Sequence, residues 1–157
     1  GQYTATFDPP GAAAADTIGQ IQQGVLLEHR VFKEYITGDN MARMRQDAVF
    51  QGQDQFIEYR LMEYDAARAA HVFWPYGTTW LNVSTVIGTL DSANAGQLLL
   101  TALAGTPAAA SPATITLPLC ILSENFPVGL LLAPQLRTIP IRQDVYPNSS
   151  KVFGTLT

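Results

Sequence analysis

The chain has 157 residues, 47% hydrophobic and only 14% charged, and its 13 acidic against 9 basic residues leave a formal charge of −4. That length suits one domain with a real core, while the charge is well below the roughly 25% of ordinary soluble domains, so part of the outer surface is expected to be covered by another molecule. The basic residues stand singly apart from Arg43 and Arg45, which excludes the clustered cationic face of a tight nucleic-acid grip, and the acidic balance argues against anionic membrane surfaces.

Residues 1–24 read as an N-terminal arm: a short strand-like piece from Tyr3 to Phe7, then Pro9-Pro10-Gly11 and a run of alanines. Small residues with two prolines bury little area and break both helix and sheet. The opening Gly1-Gln2-Tyr3-Thr4 lacks the character of a signal peptide, and no apolar run approaches the ~20 residues that span a bilayer, so a soluble protein is expected. Residues 25–36 read as a long strand with Val25, Leu27, His29, Val31, Lys33 and Tyr35 on one face. Phe32 and Ile36 fall on the charged face, which suggests partial cover on both sides. Gly38-Asp39-Asn40 signals a turn, and residues 38–52, without clear periodicity, read as a long inter-strand loop of the kind that is usually functional.

Residues 54–64 form the clearest strand, Ile57, Tyr59 and Leu61 alternating with Glu58 and Arg60. Asp65 then caps a short helix over residues 65–74, with Ala66, Ala69, Ala70 and Phe73 as its stripe, ended by Pro75-Tyr76-Gly77. Further strands are expected at 83–90, 97–103, 114–122, 128–132, 136–146 and 152–156. Pro118 and Pro140 lack an N–H and must sit at an edge or a bulge. About seven or eight strands and one helix make a mainly β domain over residues 25–157, a count typical of a sandwich or small barrel.

Catalysis needs converging titratable groups, and few are offered. His29 and His71 have no second ligand at metal spacing. Cys120, the single cysteine, lies in an apolar run and reads as an inert core thiol. No nucleophile elbow or phosphate loop occurs. Asp54, Glu58, Glu63 and Asp65 tempt a carboxylate-pair reading, but strand alternation turns Glu58 away from Glu63. The expectation is a non-enzyme with no catalytic residue, cofactor or metal. Trp74, Tyr76 and Trp80 form an aromatic cluster better suited to a core plug or a subunit contact than to a ligand site.

The order of features resembles the tail tube proteins of long-tailed bacteriophages: a small-residue arm, two long strands about a loop, one helix ending at Phe73-Trp74-Pro75-Tyr76-Gly77, a Pro/Ala/Ser-rich loop, and the closing Leu136-Arg137-Thr138-Ile139-Pro140-Ile141-Arg142. The resemblance implies a β-sandwich or half-barrel with one short flanking α-helix, and a virion structural protein assembled in the host cytoplasm. Its copies would form hexameric rings that stack into a self-assembled tube, bind other virion proteins, and let DNA pass without specific binding or any membrane. It further implies that the loop residues Asp39, Met41, Met44, Val49 and Phe50 reach the adjacent ring, and that Glu28, Glu34 and Glu58 face the lumen. The alternatives are a capsid decoration (cement) protein, a neck or tail-terminator ring protein, or, from another class, a carbohydrate-binding β-sandwich.

Overall fold

The structure, a computed structural model, describes residues 2–11, 14–37, 45–62, 68–76, 87–104, 112–128 and 138–157. Its strands are β1 (Tyr3–Asp8), β2 (Asp16–Thr37), β3 (Arg45–Leu61), β4 (Gly96–Ala102), β5 (Thr114–Leu122), β6 (Ile139–Val145) and β7 (Thr155–Leu156), with single-turn helices α1 (Ala69–Val72) and α2 (Asp91–Asn94). The sheet runs β4-β1-β2-β3-β6-β5, and β4 pairs again with β5. Six antiparallel strands therefore close into a barrel, which the strand count allows, and not into the sandwich or half-barrel that the resemblance implies. What decides between them is that β4 has neighbours on both edges: Leu100 stands opposite Ala5 on one side and Ile115 on the other. Closure leaves neither end of the strand order as an open sheet edge.

The core follows from strand alternation. Tyr3, Ala5 and Phe7 of β1, Ile57, Tyr59 and Leu61 of β3, and Ile139 and Ile141 of β6 are buried, and residues between them face outward. The expected arm is thus corrected. Residues 3–8 are a barrel strand held between β2 and β4, and Ile18 and Ile21 extend β2 into the core well before residue 25. The physical reason is that Tyr3, Ala5 and Phe7 already alternate with Thr4, Thr6 and Asp8. Full burial of a side chain such as Phe7 contributes roughly 1.5–3 kcal/mol, which outweighs the breaking effect of Pro9-Pro10-Gly11 beyond the strand's end.

Both prolines obey the backbone logic. Pro118 lies where β5 gains a residue against β4, between the pairs Leu117↔Leu98 and Cys120↔Gly96. There β5 also exchanges its other neighbour from β7 to β6. Pro140 pairs with Arg60 of β3 and lies beyond the part of β6 that meets β5. The helix is shorter than expected among the described residues, and residues 63–67 lie outside them. Residues 87–90, expected to end a strand, form a turn leading into α2. The strand expected at 136–146 begins at Ile139 among the described residues, and β7 keeps only two of the five residues expected at 152–156. Phe73 is buried and Trp74 packs against the core, its Nε1–H donating to the Asn94 carbonyl at 2.8 Å. Trp74 is therefore a core plug; Trp80 lies outside the described residues. No helix among the described residues is long and apolar enough to cross a membrane.

Candidate assembly surface

β2 and β3 are far longer than the barrel they build. β1 pairs with β2 only as far as Ile21, and β6 pairs with β3 only as far as Gln55. From there to Thr37 and Arg45 the two strands pair only with each other among the described residues. The exit point is marked by a bulge between Gln22 and Val25, where Gln23 (φ 66°) and Gly24 (φ 87°) adopt left-handed backbone. Such a bulge bends a strand and strengthens its twist. At a strand rise of about 3.3 Å, residues 30–37 carry the hairpin roughly 25 Å past the last residue paired by β6. The expected loop at 38–52 is corrected accordingly: residues 45–52 are strand. Their lack of a one-sided apolar pattern reflects two faces of equal character.

Opposed residues of paired strands share a face. One face of the outer hairpin carries Val31, Lys33, Tyr35 and Phe50, Phe50 lying opposite Lys33. The guanidinium of Arg45 stacks on this face, 3.8 Å from the centroid of the Tyr35 ring. The other carries Phe32, Glu34, Ile36, Val49 and Asp47, with Val49 opposite Glu34 and Asp47 opposite Ile36. Gln51 Nε2 donates to Glu34, and the Ala48 N–H donates to Asp47 Oδ1 at 2.7 Å. Each face thus exposes three large apolar side chains; Phe50 is 59% and Val49 52% exposed. The charges differ in sign, cationic on the Phe50 face and anionic on the Val49 face.

The hairpin root is polar. Arg142 of β6 reaches across β3 to Glu28 at 3.0 Å and lies 4.0 Å from Glu58. The Phe56 ring lies beneath two guanidinium groups, Arg142 at 4.7 Å and Arg30 at 5.4 Å. Ser123 Oγ donates to Asp144 Oδ1 at 2.5 Å beside them. Arg30, Phe56, Arg142, Ser123 and Asp144, with Asp54 and residues 124–126, line an open cleft of about 390 Å³.

Leu26 and Leu27 of β2 are exposed at the hairpin root, and two further patches expose large apolar side chains among the described residues. Ile87 (83% exposed) and Leu90 (75%) stand before α2, next to Asp91. Tyr146 donates its hydroxyl to Asp91 Oδ2 at 3.4 Å. Burial first, then the charges of Asp91 and Asp144, push the Tyr146 hydroxyl up to about 12 and raise that of Tyr76. This patch is apolar and acidic. The second is Val152 and Leu156 beside Lys151, whose turn is held by the Ser150 and Val152 N–H groups donating to Asn148 Oδ1.

Of the loop residues expected to make contacts, Val49 and Phe50 are exposed on opposite faces of the hairpin, and Asp39, Met41 and Met44 lie outside the described residues. Glu28, Glu34 and Glu58 do share one face, but Glu28 and Glu58 share Arg142 and Glu34 is bonded to Gln51. Val31, Phe32, Tyr35 and Ile36 are exposed apolar residues of the same hairpin that the expected loop left out, although Phe32 and Ile36 breaking the alternation was the signal. His29 is exposed on the hairpin, and His71 Nε2 lies 3.2 Å from the Ala14 carbonyl. Burial pushes the Cys120 thiol well above its ordinary value. The described residues contain no group of three or more His, Cys, Asp or Glu able to hold a metal ion.

No family model and no curated protein matches the chain. Among solved structures, it is similar to a chain in the tail of an empty GTA particle computed with helical refinement and C6 symmetry, at TM-score 0.52 and 10% identity over 99% of this chain and 95% of that one. It is also similar to a chain in the virion of a native gene transfer agent (GTA) particle, at TM-score 0.50 and 8% identity with the same coverage. The likeness is one of fold.

Proposed function

We propose that this chain is a structural subunit of a phage-type tail, a tail tube protein whose copies close into hexameric rings that stack into a conduit for DNA. The observation that carries the reading is the outer hairpin. Six large apolar side chains stand in solvent on both faces of a ribbon whose outer strand edges have no partner among the described residues. Soluble monomers rarely present such a surface, and a long free edge is a template for pairing with another chain. Ring assembly uses both: the free edge of β2 in one copy lies beside the free edge of β3 in the next, and repetition closes the circle. The likeness to a chain in a tail of C6 symmetry supports the same reading.

In the ring, the hairpin root faces the lumen with Glu28 and Glu58. Because Arg142 balances those carboxylates, the wall offers phosphates few uncommitted cations, and DNA passes without the counterion release that drives binding. Glu34, further out among apolar side chains, belongs instead to the contact surface. The protein in this role performs no chemistry.

Negative-stain electron microscopy of the purified chain across concentrations tests the proposal. Annuli or hollow tubes are expected, and a Val49→Asp/Phe50→Asp variant should remain folded and dispersed. Wild-type protein that stays monomeric or trimeric at high concentration would count against a tube and favour a capsid decoration role.

A further inference from the structure

We propose that the hairpin's two faces are addressed by charge to two different patches on neighbouring copies. The Lys33/Arg45 face meets Ile87, Leu90 and Asp91 of one neighbour, and the Glu34/Asp47 face meets Lys151, Val152 and Leu156 of another. This rests on the ring-and-stack reading above and adds which surface meets which.

The large exposed apolar side chains of the described residues fall into three groups: the hairpin, the α2 flank with Tyr76, and the C-terminal segment. A heterologous contact joins one surface of a copy to a different surface of the next. A ribbon with two apolar faces requires two such partners, and two remaining patches exist. Each patch carries the sign opposite to one face. Asp91 on the α2 flank, with Asp144 adding to the field felt by Tyr146 and Tyr76, complements Lys33 and Arg45. Lys151 complements Glu34 and Asp47. The swapped arrangement would set Lys33 against Lys151 and Glu34 against Asp91, and juxtaposed like charges are what interfaces use to suppress wrong registers.

The two faces of a two-stranded ribbon point in opposite directions, so a single abutting patch covers only one of them. The α2 flank adjoins Gly96, paired with Cys120 toward one end of β5; the C-terminal segment turns at Lys151 just beyond Tyr146 and then runs along β5 until Thr155 and Leu156 pair with Thr116 and Ile115. Contacts to two copies need only abutment.

The test uses engineered cysteine pairs in the full chain, with Cys120 left in place because it is buried. Matched pairs are Phe50→Cys with Leu90→Cys and Val49→Cys with Val152→Cys. Swapped pairs are Val49→Cys with Leu90→Cys and Phe50→Cys with Val152→Cys. After mild oxidation of assembled particles, non-reducing denaturing gels should show ladders of linked chains from the matched pairs, about tenfold stronger than from the swapped ones, since disulfides form only where Cα atoms approach within about 7 Å. Equal ladders, swapped ladders, or particles that yield none overturn the assignment while leaving the ring reading intact. Wild-type protein that forms no particle under the microscope overturns both. A charge exchange keeps the proposal testable if cysteine variants fail to assemble. Lys33→Glu should lower assembly about tenfold, and adding Asp91→Lys should restore it to within about threefold. Absence of rescue overturns the Lys33–Asp91 contact.

Discussion

A single strand, β3, passes through two environments, and its two halves obey different rules. Inside the barrel Ile57, Tyr59 and Leu61 are buried while Glu58 and Arg60 point out, the alternation of a wall with one covered face. In the hairpin Val49 and Phe50 are consecutive, apolar and both more than half exposed. Consecutive apolar residues on a two-stranded ribbon project to opposite sides, so they cannot serve one core. Lost alternation inside a strand thus marks a segment with no core of its own to cover either face, which under the proposed function is covered by neighbouring copies. Stability of the monomer should therefore reside in the barrel and assembly in the hairpin.

The largest effect is expected in the wall. Phe7 is fully buried, and a Cβ on Gly96 would stand 2.5 Å from its ring Cζ, so the packing there has no slack. Phe7→Ala should cost about 3–5 kcal/mol in denaturant unfolding, with loss of assembly following from loss of fold. A cost below about 1 kcal/mol would mean that the first strand behaves as the arm its prolines suggest. Next comes the opposite separation. Val49→Asp/Phe50→Asp touches no buried group, so monomer stability should move by no more than about 0.5 kcal/mol, while light scattering should report no polymer. Polymer formed at the wild-type rate by that variant would detach the hairpin from assembly altogether.

Alkaline pH probes the wall alone. Tyr59 lies in the core with its hydroxyl 3.3 Å from Gln143 Oε1, and burial raises its ionisation far above the ordinary value of 10.0; Cys120, also buried, is raised from 9.0. Folded-state values above the unfolded ones mean that the folded protein holds these protons more tightly. Their stabilising contribution is complete below the unfolded values and is lost as pH rises through 9 and then 10, by about 1.4 kcal/mol per pH unit for each group once it ionises in the unfolded chain. Melting temperature should fall steeply between pH 9 and 11, and Tyr59→Phe should flatten the part above pH 10. An unchanged slope in that variant would show that Tyr59 is not buried in solution.

Much of the wall was legible in the sequence. Residues 114–122 read as a strand with the observed bounds, because Ile115, Leu117, Leu119 and Ile121 alternate with Thr114, Thr116, Pro118 and Cys120; the bulge that Pro118 announces then shifts the pattern, so that Cys120 is buried and Leu119 is not. Barrel closure was not legible, since no local pattern reports that β4 has neighbours on both edges. Residues 3–8 were misread because six residues flanked by Pro9 and Pro10 carry too little periodicity to outweigh a breaker. The hairpin was half legible. Phe32 and Ile36 on the charged face were visible as an anomaly, whereas the pairing of residues 45–52 with β2, which makes the ribbon, depends on a long-range register shifted by bulges.

The smallest effect lies at the boundary between the two regions, where Arg142 of the wall pairs with Glu28 at the hairpin root and lies beside Glu58 of the wall. Its side chain is 24% exposed and that of Glu28 42%, so the pair is partly screened and should be worth about 0.2–1 kcal/mol. Arg142→Gln leaves Glu28 and Glu58 facing each other across the β2–β3 ladder, while Glu28→Gln relieves that repulsion. In a double-mutant cycle the coupling should stay near the middle of that range and shrink in high salt. Because β2 bends at Gln23 and Gly24 just below this contact, weakening it should disturb the hairpin's direction more than the wall's stability. Assembly should then slow in Arg142→Gln even though its melting temperature barely moves. A salt-independent coupling of several kcal/mol would instead place the root inside the wall's cooperative unit, and the line between the two regions would move outward to Phe32 and the bulge beside Gly52.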